Sequence, residues 1–324
     1  MADLADDGGD GDIFIYRGGR APLTLTWYIT HALIDESLDE IEDNAFNGCL
    51  NLVQVDTHDG IRKVGKAAFL GCESLRRINL KFAVEVEEYA FCDCESLESI
   101  EFGDYLESIE FSAFCGCSLE HLKLTSVITI EASAFLLCAQ LTYVEFSEGL
   151  DSIGEGAFHG CERLQRITIP LKRDLFVYDD EDGYDQFDGC EQLTTIDLVG
   201  GIHKTVASLH MESWRTEMIS EINRINHVLP NAPWGKTGEI LRWMTSVMDK
   251  MDRYKAEHCR YVKEGITLLE LALWKAKLGE KEEYATETKP KKTKVDSESS
   301  RKERRITCGA DIVIKNVLPF LQLE

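Results

Sequence analysis

"LDSIGEGAFHGCERLQRITI", residues Leu150–Ile169, decides the fold. Its apolar residues spell L-x-x-I-x-x-x-A-F-x-x-C-x-x-L-x-x-I-x-[L/F], and Cys161 sits three residues after Phe158. Pieces of the same phrase stand elsewhere, as "GCESLRRINL" from Gly71, "DCESLESIEF" from Asp93 and "GCEQLTTIDL" from Gly189. A catalytic thiol needs one copy and a metal site needs a cluster. A cysteine that returns in fixed order points to architecture.

The period confirms a repeat. Ala-Phe pairs end at Phe46, Phe69, Phe91, Phe114, Phe135 and Phe158, spaced 23, 22, 23, 21 and 23 residues. Three residues after each phenylalanine stands Cys49, Cys72, Cys94, Cys117, Cys138 or Cys161. Phe187 and Cys190 make a seventh copy after an insertion, and Leu119 follows Cys117 one residue early. A period of this length fits a leucine-rich repeat, each coil giving a short strand and a return path. The A-F-x-x-C-x-x-L-x-x-I pattern resembles the BspA-like subclass of leucine-rich repeats over about Leu38 to Leu198. The expected fold class is an α/β solenoid of about seven coils, with a parallel sheet on one face and an α-helical C-terminal region. One coil leaves an apolar face exposed, so stacking must align the strands and pile the phenylalanines into a column. The recurrent cysteine then reads as a small buried hydrophobe in a ladder.

The ends need covers. "DIFIYRGG" and "LTLTWYITHALI" read as short strands of an N-terminal cap within residues 1–37, ahead of a solenoid over 38–204. Beyond it Trp214, Met218, Ile222, Ile225 and Leu229 recur at helical spacing, and Pro230 and Pro233 end that pattern. A second helical pattern runs from Ile240 through Met244, Val247, Met251 and Tyr254, then past an expected break near Gly265 to Leu273. Residues 205–279 are therefore expected as a helical hairpin with a tryptophan- and methionine-rich seam, joined by "PNAPWG". Residues 280–306 read as a charged, disordered linker, and 307–324 as an apolar module. The helices and this tail resemble the C-terminal region of leucine-rich repeat proteins of unicellular algae, a resemblance that implies no activity.

Charge narrows the partners. Residues 1–200 hold 13 Lys+Arg against 40 Asp+Glu, out of a net −23 for the whole chain. That bias argues against nucleic acid gripped by the solenoid. No apolar run approaches the 18 or so residues of a membrane span. Eleven cysteines without a visible export signal point to reduced thiols and a cytoplasmic or nuclear setting.

Candidate sites each meet a plainer reading. "WGKT" at Trp234–Thr237 resembles the end of a phosphate-binding loop, but Pro230 stands where the first glycine belongs, so a helix start reads better. "YDDEDGYDQFDGC" resembles a calcium loop with Tyr178 and Gly189 in the wrong places, and reads as a solvated acidic insertion. Cys92, Cys94, Cys115 and Cys117 form two C-x-C pairs, but register sends Cys94 and Cys117 into the core and Cys92 and Cys115 elsewhere, which disfavours zinc. A stacked Cys92–Cys115 pair remains open to oxidation. "KPKKTK" and "RKERR" within 289–305 offer a targeting signal or a solubilising linker. No catalytic motif or cofactor site is present, which sets a metal-dependent enzyme aside in favour of binding.

Binding has a natural place. Between the inward residues of each strand lie Gln54 and Asp56, Arg77 and Asn79, Ser99 and Glu101, His121 and Lys123, Tyr143 and Glu145, Arg166 and Thr168, Thr195 and Asp197. Of these, Arg77, Asn79, Glu101, His121, Lys123, Tyr143, Glu145 and Arg166 are the expected contacts for a protein or peptide partner. The function that follows is a non-enzymatic interaction scaffold. A regulatory adaptor directed to nucleus or membrane by its basic linker is the alternative, and the C-terminal helices offer a surface for self-association.

Overall fold

A computed structural model describes residues 13–177, 185–201, 206, 207, 209, 211–232 and 235–287. In chain order the strands begin with β1 (Ile13–Tyr16), β2 (His31–Ile34), β3 (Glu40–Ile41), β4 (Gln54–Asp56), β5 (Lys63–Val64), β6 (Arg77–Leu80), β7 (Glu85–Val86) and β8 (Ser99–Phe102). They continue with β9 (Ser108–Ile109), β10 (His121–Leu124), β11 (Thr129–Ile130), β12 (Tyr143–Phe146), β13 (Ser152–Ile153), β14 (Arg166–Ile169) and β15 (Thr195–Leu198). Helix α1 (Glu212–Val228), a single 3-10 turn (Leu229–Asn231) and helix α2 (Lys236–Glu287) follow.

The solenoid is a parallel stack, as the repeat predicts. The longer strands form one face in register, His31 beside Gln54 and Gln54 beside Arg77, then Arg77 beside Ser99. A second register joins His121, Tyr143, Arg166 and Thr195. Between these runs the face divides into two sheets, β1-β2-β4-β6-β8 and β10-β12-β14-β15. The two-residue strands build another parallel sheet, β13-β11-β9-β7-β5-β3, beyond the single one read from the repeat. It arises because the L-x-x-I step before each Ala-Phe pair is itself extended for two residues, as at Ser108–Ile109.

Two columns fill the interior. Rings Phe46, Phe69, Phe91, Phe114, Phe135, Phe158 and Phe187 stack in order, with centroids 5.0–5.8 Å apart and planes within 9°. Beside them the seven repeat cysteines are buried. The thiols are also donors. Sγ of Cys72, Cys94, Cys117, Cys138, Cys161 and Cys190 gives a hydrogen bond to the phenylalanine carbonyl of the coil before, at 3.1–3.2 Å. Each of these six cysteines therefore satisfies a buried backbone acceptor as well as packing like a small hydrophobe.

The return path turns sharply twice per coil. Asn44, Ala67, Tyr89, Ser112, Ser133 and Gly156, each just before the Ala-Phe pair, have φ of +51° to +58°. Two residues past the phenylalanine, Gly48, Gly71, Asp93, Gly116, Leu137, Gly160 and Gly189 have φ of +59° to +76°. Glycine fills five of those seven places because L side chains resist this region.

Both ends are covered by substitutes for a missing coil. At the first end Phe14 and Tyr16 pack on Phe46, and Ala21 N–H donates to the carbonyl of Ala45 at 2.7 Å. Of the expected strand "LTLTWYITHALI" only His31–Ile34 is a strand, and Leu23–Tyr28 forms turns. At the other end the Phe187 N–H donates to Thr237 Oγ1 at 3.2 Å, where inner coils offer the next coil's carbonyl. Lys236 Nζ donates to the carbonyls of Glu191 and Leu193 at 2.9 and 2.8 Å, and Asn226 Oδ1 accepts from Ile196 N–H at 2.8 Å. The "GKT" sequence is a solenoid cap at a helix start, as its poor fit to a phosphate loop suggests.

The chain forms two compact units, Met1–Ser208 with Arg215–Asp249, and Leu209–Trp214 with Lys250–Glu324. In the first, Trp243 Nε1 donates to the carbonyl of Glu221 at 3.0 Å. In the second, Trp214 stacks on Tyr254 and Tyr261. Helix α2 passes through Gly265 without the expected break, and it extends to Glu287 where the sequence places a linker from 280. The rest of that linker and the module over 307–324 lie outside the described residues.

Candidate partner-binding site

The division between β8 and β10 has a one-residue cause. Five residues separate Cys49 from Gln54, Cys72 from Arg77, Cys94 from Ser99, Cys138 from Tyr143 and Cys161 from Arg166, but only four separate Cys117 from His121. The shortened link draws β10 out of the ladder that β8 would continue. Ile100 and Phe102 point inward yet are only half-buried, unlike their counterparts Ile78 and Leu80.

A cavity of about 380 Å³ opens at this division. Ile100, Phe102 and Leu122 give it an apolar floor, and Lys81, Glu101, His121, Lys123, Tyr143 and Glu145 form its polar rim. Phe102 is braced edge-on against Phe114 of the ring column, with centroids 5.9 Å apart. The rim is held by modest contacts. Tyr143 OH donates to Glu145 Oε2 at 3.3 Å, Lys123 Nζ lies 3.8 Å from the same carboxylate, and Thr142 Oγ1 meets His121 Nδ1 at 2.9 Å. Charges of both signs thus ring an apolar floor, a pattern suited to an apolar side chain with polar neighbours.

Five expected contacts, Glu101, His121, Lys123, Tyr143 and Glu145, come together there, while three do not. Arg77 Nη2 donates to Gln54 Oε1 at 3.1 Å, within a network where Asp56 accepts from Gln54 at 2.7 Å and meets His31 Nε2 at 2.7 Å. Burial raises the Asp56 carboxyl, but hydrogen bonds from Gln54 and His31 outweigh it and leave it below the usual range. Asn79 Oδ1 accepts from the Lys81 N–H at 3.0 Å, and Arg166 pairs with Asp197. Lys81, Ile100, Phe102 and Leu122 were missed by reading the strand face alone. The four-residue link before His121 was the signal available for them.

Acidic residues gather along the sheet of two-residue strands. Glu85 lies in β7, and Glu87, Glu110 and Glu131 follow β7, β9 and β11. Burial raises the Glu110 carboxyl to about 7, helped by a hydrogen bond with Glu85 and repulsion from Glu131, Glu85 and Glu87. Lys63 Nζ meets Glu87 at 2.5 Å, and Glu131 accepts from the Phe111 N–H at 3.2 Å.

Among the described residues no group of three or more His, Cys, Asp or Glu is arranged to hold a metal ion. Residues 178–184 of the calcium-like stretch and the basic segment 289–305 lie outside the described residues. Among those described, no helix is long and apolar enough to cross a membrane.

A family model described as BspA type leucine-rich repeat region matches residues 25–128 and 82–180. Among solved structures, the leucine-rich repeat protein of T. pallidum is 29% identical, covering 57% of this chain and 83% of that one with a TM-score of 0.45. A leucine-rich repeat protein from Bacteroides ovatus is 22% identical, covering 52% and 60% with a TM-score of 0.36. The pneumococcal vaccine antigen PcpA is 18% identical, covering 58% and 66% with a TM-score of 0.33. No curated protein matches the chain by sequence.

Proposed function

The repeat region over residues 25–180 belongs to the BspA-type leucine-rich repeats, and from that premise we propose a non-enzymatic scaffold that captures a protein or peptide on its long-strand face. The observation that carries this reading is the cavity between β8 and β10, with its floor of Ile100, Phe102 and Leu122. A partner segment would seat one apolar side chain there and meet Lys81 and Lys123 with acids, Glu101 and Glu145 with bases. A reducing compartment suits its free thiols. The test is selection of peptides from a displayed library on the whole protein, followed by titration of variants. Tyr143→Ala and Lys123→Glu should each weaken a selected peptide roughly tenfold or more, with unchanged thermal unfolding. Undiminished binding by both would remove the cavity from consideration.

A second role rests on α2. Leu268 and Trp274 are 67% and 66% exposed, and Leu269, Leu271 and Leu273 are exposed beside them. So much apolar helix surface supports self-association. Leu269→Glu with Leu273→Glu should lower the mass measured by light scattering at high concentration; an unchanged mass would refute it.

A further inference from the structure

Cys92 and Cys115 stand one residue after Phe91 and Phe114, in consecutive coils. The same place is held by Asn47, Leu70, Leu136, His159 and Asp188 in the other coils, so outside the buried cysteine column these two are set apart as neighbouring cysteines of consecutive coils. Backbone bonds fix their register. Phe91 N–H donates to the Ala113 carbonyl at 2.7 Å, and Asp93 N–H to the Cys115 carbonyl at 2.8 Å. Both residues lie in turns, and backbone bonds of this kind hold consecutive coils as far apart as paired strands, roughly 4.8 Å. That spacing is inside the Cα–Cα window of roughly 4.4–6.8 Å that a disulfide spans.

The two sulfurs differ in access. Cys115 is half-buried, whereas Cys92 is 8% exposed. Hydrogen bonding with Cys92 lowers the Cys115 thiol against the opposing effects of burial and Asp93, and the same contact raises Cys92. The thiolate is the nucleophilic form, so attack belongs to Cys115.

We propose that Cys92 and Cys115 form a peroxide-sensitive dithiol that closes into a disulfide between neighbouring coils. The Cys115 thiolate attacks one oxygen of hydrogen peroxide, the O–O bond breaks, and a sulfenic acid and hydroxide form. The Cys92 thiol gives its proton to that hydroxide. Its sulfur then attacks the sulfur of Cys115, the S–S bond forms, and the S–O bond breaks with loss of hydroxide, protonated to water. The hydroxide takes up the proton that Cys115 lost on ionising. Two thiols are oxidised, one peroxide is reduced, and two waters are released. The bond ties the two coils whose strands β8 and β10 border the cavity.

The experiment treats the whole protein with hydrogen peroxide, alkylates remaining thiols after unfolding, and maps the peptides by mass spectrometry. The expected product is one linked pair of peptides holding Cys92 and Cys115, about 2 Da below their sum and restored by dithiothreitol. Cys115→Ser should give no link, and Cys92→Ser should leave a Cys115 sulfenic acid that dimedone traps. The proposal is overturned if the native protein keeps both thiols alkylatable, if Cys115 passes to the sulfinic acid with Cys92 free, or if Cys115 joins Cys259 instead.

Discussion

The Cys117 thiol donates to the carbonyl oxygen of Phe91 at 3.1 Å, one coil back, and that carbonyl also accepts the Cys94 N–H at 3.2 Å. The same double acceptance recurs at Phe114, whose carbonyl takes Cys138 Sγ at 3.1 Å and Cys117 N–H at 3.3 Å. Burial pushes the thiols of Cys72, Cys117 and Cys161 well above the usual range, so these sulfurs keep their protons and remain donors. Cys138→Ala should lower stability by about 1–2 kcal/mol, through a lost donor and a small void. Cys138→Ser should recover part of that loss, because a hydroxyl still reaches the carbonyl. Urea unfolding of the two variants distinguishes a donor from a mere filler, for which alanine would be the milder change.

The left-handed turn positions predict an asymmetry. Gly71 has φ +68° with open space where a Cβ would sit. Gly71→Ala should therefore cost about 1 kcal/mol from backbone conformation alone. Leu137 already bears that strain at φ +59°, with its side chain mostly exposed. Leu137→Gly should be neutral or stabilising by up to about 1 kcal/mol, relief of strain being offset by a freer unfolded chain. Equal losses in both variants would count against conformational strain at this position.

The C-terminal cover depends on one buried cation. Lys236 is 3% exposed and gives its ammonium to two main-chain carbonyls. Removing it as Lys236→Met should cost about 2–3 kcal/mol, because two buried acceptors lose their donor. Hydrogen exchange should quicken first at Thr195–Leu198, the strand nearest this cap, and uniform quickening along the solenoid would argue against a local cap.

Glu110 makes stability fall as pH rises. Its carboxyl titrates near 7 in the folded chain against an ordinary 4.5. Between those values the folded chain keeps a proton that the unfolded chain has lost, so raising pH through this window favours unfolding. Urea midpoints should decline from about pH 5 to pH 7, and Glu110→Gln should flatten that decline. An unaltered slope in the variant would move the effect to other groups.

Much of the molecule is legible in the chain because the repeat is local. The phenylalanine and cysteine positions give the two columns, and alternation in the strands gives the exposed face with Glu101, His121, Lys123, Tyr143 and Glu145. What escapes depends on residues that meet only after folding. Lys236 and Thr237 look like a failed nucleotide motif until they are seen capping Glu191, Leu193 and Phe187. Ile100, Phe102 and Leu122 follow the inward pattern and read as core, since only a slipped ladder opens them to a cavity. Arg77 and Arg166 have the right chemistry for an interface, but Gln54 and Asp197 engage them from the adjacent strands. Gly265 predicts a break by composition, yet the flanking helix formers carry α2 through it.

The shortened link between Cys117 and His121 offers the most direct test, because one residue decides whether the cavity exists. Inserting a single serine after Ser118 restores the five-residue spacing of the other coils and should join β10 to β8 in one ladder. A peptide selected on the whole protein should then bind at least about tenfold more weakly by fluorescence anisotropy, while the Ser99–Phe102 amides exchange more slowly. Unweakened peptide binding by an insertion variant with that slowed exchange would contradict a partner site at the division between the sheets.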